Sequence, residues 1–161
     1  MKVLSGKEEE KGKAYMHHAA ELAKIATCLR RRCGSVIVKD GKIIGEGFNS
    51  PPGNLESQRR CAMEKTTYHR KVTDKTCCIH AEERAIFNAL KNNPSKVEDS
   101  TLFFVSVDEN GNPQRAGKPY CTGCSKRALE AGVKEFVLWH ENGITVYDTE
   151  EYNDISFKYS E

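Results

Sequence analysis

Apolar positions along the chain alternate between a three-to-four-residue period and short continuous runs, the pattern of amphipathic helices interleaved with buried strands. Over residues 13–29 the set Met16, Ala19, Ala20, Leu22, Ala23, Ile25, Ala26 and Leu29 recurs at helical spacing, with Glu21 and Lys24 between, and predicts a first helix. Its small residues suit close packing on a sheet. Arg30-Arg31-Arg32 follow at its end, where positive charge complements the negative pole of the helix dipole. Residues 35–38 and 43–48 are two strand-like runs joined by Lys39-Asp40-Gly41-Lys42, whose Asp-Gly pair signals a tight hairpin. Gly45 and Gly47 leave the second strand thinly clothed, which fits close approach by another backbone or a ligand.

Residues 49–79 hold Pro51, Pro52 and Gly53, many charges and no sustained period, so a long loop is expected there. Residues 80–90 then read as a second helix, with Ala81, Ala85, Ile86, Ala89 and Leu90 on one face and Asn92-Asn93-Pro94 as its stop. A buried strand over 102–107 leads into a mobile loop over 108–118. Cys121, Cys124, Ala128 and Ala131 line a third helix ended by Gly132, and 134–139 is the next strand. Beyond Trp139 two patterns compete. Glu141-Asn142-Gly143 followed by residues 144–147 reads as an antiparallel hairpin, while Thr149-Glu150-Glu151 reads as the cap of a short helix containing Tyr152, Ile155 and Phe157. The order predicts an α/β fold, a three-layer α/β/α sandwich with a mixed sheet of about five strands.

The length of 161 residues, 38% of them hydrophobic, suits a single domain over 1–161 carrying the 49–79 loop as an insertion. The charged start and the lack of any long apolar run predict no signal peptide, no membrane span and a cytoplasmic location. With 25 basic against 23 acidic residues the net charge is only +2, so any anion site is local and nucleic acid is not an expected partner. Seven cysteines, an odd number without an export signal, point to reduced thiols and metal ligation.

That last inference has a definite address. His80-Ala81-Glu82 and Cys121-Thr122-Gly123-Cys124 both fall at predicted helix starts. One imidazole and two thiolates offer zinc three ligands and leave its fourth tetrahedral position to water, the count of a catalytic site. Glu82 lies two residues from His80, near enough to take and hand on a proton without ligating the metal. Taken alone, the cysteine pair is equally a redox couple, half of a zinc knuckle or two buried small residues. Its joint occurrence with His-x-Glu is what singles out zinc-dependent deamination of a base.

The resemblance is carried further by Thr27-Cys28, by Cys33-Gly34-Ser35-Val36-Ile37-Val38, by Gly45-Glu46-Gly47-Phe48-Asn49 and by Ala131-Gly132-Val133. Over most of residues 19–139 the chain resembles the cytidine and deoxycytidylate deaminase superfamily, and most of all its dCMP deaminase branch. One departure is plain: the family has proline directly before the first cysteine, whereas here Tyr120 intervenes between Pro119 and Cys121 and enters the pocket wall. The resemblance implies hydrolysis of dCMP to dUMP, with Glu82 as proton shuttle and a backbone N–H near Ala81 or Cys121 bonding the ring. It further implies that Asn49 contacts the sugar and that one of Arg30, Arg31 and Arg32 meets the phosphate. Some dCMP deaminases hold a second, structural zinc. The matching positions here are Cys28, Cys61 and one of Cys77 and Cys78, with His69 as the remaining ligand; the plainer alternative is a set of buried thiols. Cys33, where the family has valine, is expected in the core.

The terminal hairpin resembles free-cytidine deaminases instead, which keeps a nucleoside or nucleobase deaminase as the alternative. A tRNA or single-stranded DNA deaminase is disfavoured by scattered basic residues and few loop aromatics. A homo-oligomer is expected.

Overall fold

The computed structural model describes residues 1–160. The elements run β1 (Lys2–Val3), α1 (Gly6–Lys24), β2 (Arg32–Lys39), β3 (Lys42–Phe48), α2 (Ala81–Asn92), β4 (Ser100–Val107), β5 (Pro113–Gln114), α3 (Thr122–Glu130), β6 (Val133–His140), β7 (Gly143–Asp148) and α4 (Thr149–Phe157). They build one sheet ordered β1-β7-β6-β4-β2-β3, with β5 added beside β4. The sheet is mixed: β4 and β6 pair parallel, and the other described pairs are antiparallel. It has seven strands where about five were expected, the additions being the two-residue β1 and β5, too short to leave a pattern.

Helices cover both faces. On one side Met16, Ala19, Ala20 and Ala23 of α1 pack on Val36, Phe103, Val105 and Val137. On the other, Ala81, Ala85, Ala89, Ala128 and Tyr152 from α2, α3 and α4 meet Ile37, Leu102, Phe104 and Phe136. Burial of both faces explains why Leu102-Phe103-Phe104-Val105 of β4 read as a continuous apolar run.

The first helix begins and ends earlier than its apolar period predicts. Its opening turns carry Glu8 and Glu9, which favour the positive end of the dipole, but they are exposed and so leave no periodic mark. At the other end Ile25 and Leu29 are exposed, and the Thr27 N–H bonds the Asn49 carbonyl at 3.2 Å, drawing Cys28 away from the helix axis. The terminal alternatives are both present. β7 pairs antiparallel with β6, and α4 follows directly, capped by Asp148 Oδ1 accepting from Glu150 N at 3.0 Å rather than by Thr149. Part of the supposed mobile loop over 108–118 is held as β5 against β4. No helix is long and apolar enough to cross a membrane among the described residues.

The segment between β3 and α2 holds three single 3₁₀ turns and is otherwise irregular, with its ends joined by a bridge between Ser50 and Ile79. Its neighbour α2 lies so close to β3 that a Cβ added at Gly47 would sit 2.2 Å from the Ala81 carbonyl oxygen and 2.5 Å from Ala85 N. Gly47→Ala must therefore displace backbone. It is expected to cost roughly 2–4 kcal/mol in denaturant unfolding; a loss under about 0.5 kcal/mol would show that α2 is free to lift.

Candidate metal centre

α2 and α3 start at the same place. His80 is the N-cap of α2 and Cys121 the N-cap of α3, so two positive helix ends converge where thiolate charge would be held. His80 Nδ1 lies 3.3 Å from Cys121 Sγ and 3.2 Å from Cys124 Sγ, and the two sulfurs are 2.7 Å apart. The two nitrogen–sulfur spacings approach the roughly 3.5 Å edge of a tetrahedron built with bonds of about 2.0–2.3 Å, and the sulfurs stand closer than that. A Glu82 carboxylate oxygen completes a group whose ligand atoms all lie within 4.8 Å of one another. Donor chemistry and convergence both fit zinc.

The electrostatics point the same way. Hydrogen bonding with Cys124, then with His80, pulls the Cys121 thiol down to about 5 against the cost of burial. The contact with Cys121 lifts His80 to about 9, and Cys124 is pushed up by the same Cys121 contact and by burial. A thiolate that needs an imidazolium and a thiol proton beside it is one whose charge a cation can take over, releasing those protons. Glu82 is 4% exposed, and burial followed by the Cys121 charge raises it to about 7, within the range useful for moving protons near neutrality.

A cleft of about 280 Å³ opens over His80, Ala81 and Glu82, with Asn49, Phe104 and Tyr120 in its walls. Asn49 lies in the cleft wall but also braces it: its Oδ1 accepts from Cys33 N at 2.8 Å and its Nδ2 donates to Arg31 O at 2.7 Å. Arg30 and Arg31 line the cleft. Arg30 donates to the Cys61 and Met63 carbonyls, and Arg31 to Ser106 Oγ at 2.8 Å and to the Tyr120 hydroxyl at 3.4 Å. Arg32 does not reach it. As the next residue along an extended strand it turns to the other side, where its guanidinium donates to the carbonyls of Asp108 and Glu109. Three further cations from the long loop, Arg60, Lys65 and Lys75, line the same cleft. The two lysines were not singled out from the sequence, although the excess of basic residues between Arg59 and Lys75 was a usable signal. Cys33 is buried, as expected for a core residue, and burial pushes its thiol up to about 12.

A second sulfur cluster lines the same cleft. Cys28, Cys61 and Cys78 place their sulfurs within 4.8 Å of one another, with Cys61 to Cys78 at 3.4 Å. Cys77 Sγ is 3.5 Å from Cys61 Sγ and accepts from Arg60 N at 2.8 Å. Burial alone would raise the Cys61 thiol, but the Leu29 backbone and the neighbouring thiols bring it down to about 6. His69 is not part of this cluster. It is exposed, and its Nδ1 accepts from Lys71 N at 3.1 Å within its own turn.

A family model described as the cytidine and deoxycytidylate deaminase zinc-binding region matches residues 9–140. Deoxycytidylate deaminase of Schizosaccharomyces pombe is 26% identical over 131 residues, covering 78% of this chain and 35% of that protein. The Saccharomyces cerevisiae deoxycytidylate deaminase is 25% identical over 146 residues, covering 85% and 42% respectively. The chain thus spans less than half the length of these curated relatives. Among solved structures, the apo dCMP deaminase of cyanophage S-TIM5 matches with a TM-score of 0.53 at 25% identity, covering 79% of this chain and 80% of that one.

Metal analysis of the purified chain tests both clusters at once. Cys121→Ala and Cys124→Ala are each expected to remove one zinc, and Cys61→Ala or Cys78→Ala a different one. Full zinc content in Cys124→Ala would remove the first site from consideration, and unchanged content in Cys61→Ala the second.

Proposed function

Because the chain belongs to the cytidine and deoxycytidylate deaminase family, we propose that it is a zinc-dependent hydrolase converting dCMP and water to dUMP and ammonia. The observation that carries this proposal is the union, in one cleft, of the buried Glu82 carboxylate with five cations, Arg30, Arg31, Arg60, Lys65 and Lys75. A reactive acid at the floor and positive charge at the walls suit a base joined to a phosphate. The names of the two fungal relatives support the same substrate.

His80, Cys121 and Cys124 would hold zinc, which when bound would supply an acidified water. Glu82 accepts a proton from the attacking water as its oxygen adds to C4 of the cytosine ring, and delivers it to the ring nitrogen. The same carboxylate then takes the remaining proton from the added hydroxyl and passes it to the amine, which departs as ammonia as the C4 carbonyl forms. The backbone N–H of Ala81, which lines the cleft between His80 and Glu82, bonds the ring carbonyl in this proposal. Asn49, whose amide uses one hydrogen on Arg31 O, contacts the sugar in this proposal, and Tyr120 forms part of the cleft wall. Positive side chains neutralise a phosphate that would otherwise enter the cleft unpaired.

Cys28, Cys61, Cys78 and the adjacent Cys77 hold a second, structural zinc in this proposal, supported by their shared sulfur cluster. Seven unpaired thiols suit a reducing, cytosolic setting. Phe87 and Leu90 lie exposed on the outer side of α2, and a homo-oligomer that buries them belongs to the same proposal. One observation favours a second function: the antiparallel β6–β7 hairpin, the feature that resembles free-cytidine deaminases.

Glu82→Ala is expected to keep zinc yet lose roughly 10²–10⁴-fold in kcat, read as ammonia release from dCMP. Near-normal turnover would assign the proton transfer to another group. Arg60→Ala and Lys75→Ala are expected to lower kcat/KM for dCMP by about tenfold or more while hardly changing that for deoxycytidine. Arg32→Ala, outside the cleft, is expected to leave the ratio of the two substrates unchanged. Equal kcat/KM for dCMP and deoxycytidine in the wild type, untouched by these changes, would favour the nucleoside deaminase.

A further inference from the structure

Two side chains outside the ligand set join the two halves of the metal centre. Glu83 follows Glu82 on α2 but does not line the cleft. Its Oε2 accepts from the backbone N–H of His80 at 3.2 Å, and its Oε1 meets Arg127 Nη1 of α3 at 3.0 Å. The same Arg127 Nη1 donates to the carbonyl of Gly123 at 3.0 Å, between the two cysteines of the site. A continuous path therefore runs from the backbone of His80 through a carboxylate and a guanidinium to the backbone of the Cys121–Cys124 turn. Gly123 makes room for it, since a Cβ there would lie 3.0 Å from Arg127 Nη1.

We infer that Glu83 and Arg127 form a strap behind the metal centre that sets the spacing of His80 against Cys121 and Cys124, making both of them positioning residues. The inference rests on the zinc site proposed above. An exposed ion pair in general contributes little, because water screens it and side-chain entropy opposes it. This pair differs in two respects. The Glu83 side chain is only 13% exposed, so water screens its contact with Arg127 less than it screens an open surface pair, and both ends of the pair terminate on backbone within a turn that carries a ligand. Groups that orient metal ligands in this way typically change metal affinity by roughly 10–100-fold when removed. A strap acts as a unit, so cutting it at either residue has the same effect as cutting it at both.

Zinc affinity of the full chain, measured by competition with a chelator and counting only the zinc that Cys124→Ala abolishes, tests the strap. Glu83→Ala and Arg127→Ala are each expected to weaken binding by about 10–100-fold, and the double variant no further. Glu83→Gln, whose single carbonyl oxygen can serve only one of the two partners, is expected to recover part of the loss. Cobalt(II) placed in the site gives a second readout: its visible bands are expected to shift in both single variants, a change that an ion pair serving only stability would not produce. Arg127 has a side chain 48% exposed, so Arg127→Ala removes it without opening the core. Affinity within threefold of wild type in Arg127→Ala, losses that multiply in the double variant, or an unchanged cobalt spectrum would each overturn the strap. Full zinc content in Cys124→Ala would instead sink the metal site itself, and the strap with it.

Discussion

The contact between α2 and β3 is the constraint on which the rest of the site depends. Gly47 lets the first turn of α2 rest on the strand at backbone distance, with the Ala81 carbonyl directly over the missing side chain. Ala81 is the residue between His80 and Glu82. The depth at which the helix sits on the sheet therefore sets the depth of both chemical groups below the cleft. α3 reaches the sheet by another route, through Ser125 Oγ donating to Asn153 Oδ1 of α4 at 2.9 Å, with α4 anchored by the stacking of Tyr152 on Phe136 at 4.0 Å. Two helices fixed to the sheet by different neighbours thus present their starts to one point.

At that point the charge state of each group is set by its neighbours. Glu82 is buried, Cys121 is stabilised as a thiolate by its hydrogen bonds, and His80 is raised by the same contacts. The helix ends offset part of the negative charge from below, and the cationic side chains of the long loop offset an incoming anion from above. A chain with a net charge of only +2 reaches this arrangement by placing its excess where the loop folds over the cleft.

The ligand set was legible because it depends on short spacings within one helical turn, which survive any detail of tertiary packing. His80, Glu82, Cys121 and Cys124 come together as the residue types and their helix-start positions predict. The arginines were less legible. Arg31 and Arg32 are adjacent, yet one bonds Ser106 at the cleft and the other bonds Asp108 outside it, a distinction made by strand direction. Arg59, in the long loop, is paired with Glu56 and bonded to the Thr27 carbonyl. Lys65, Lys75 and His69 sit in a segment without period, where no rule of spacing says which side chain turns inward. The opening of α1 was missed for a related reason: an exposed helical turn has no buried face to reveal it.

The Ser50–Ile79 bridge gives the long segment between them a shared doorstep, so the excursion leaves and returns at one place beside the metal-bearing helix. Closing such a loop becomes only slightly more costly as it lengthens, by about 0.6 kcal/mol per doubling. Residues added or removed beyond the doorstep would leave His80 and Glu82 where they are while changing which charges overhang the cleft. Substrate choice and bond-breaking chemistry are thereby carried on separately variable parts of the chain, and drift in one need not degrade the other.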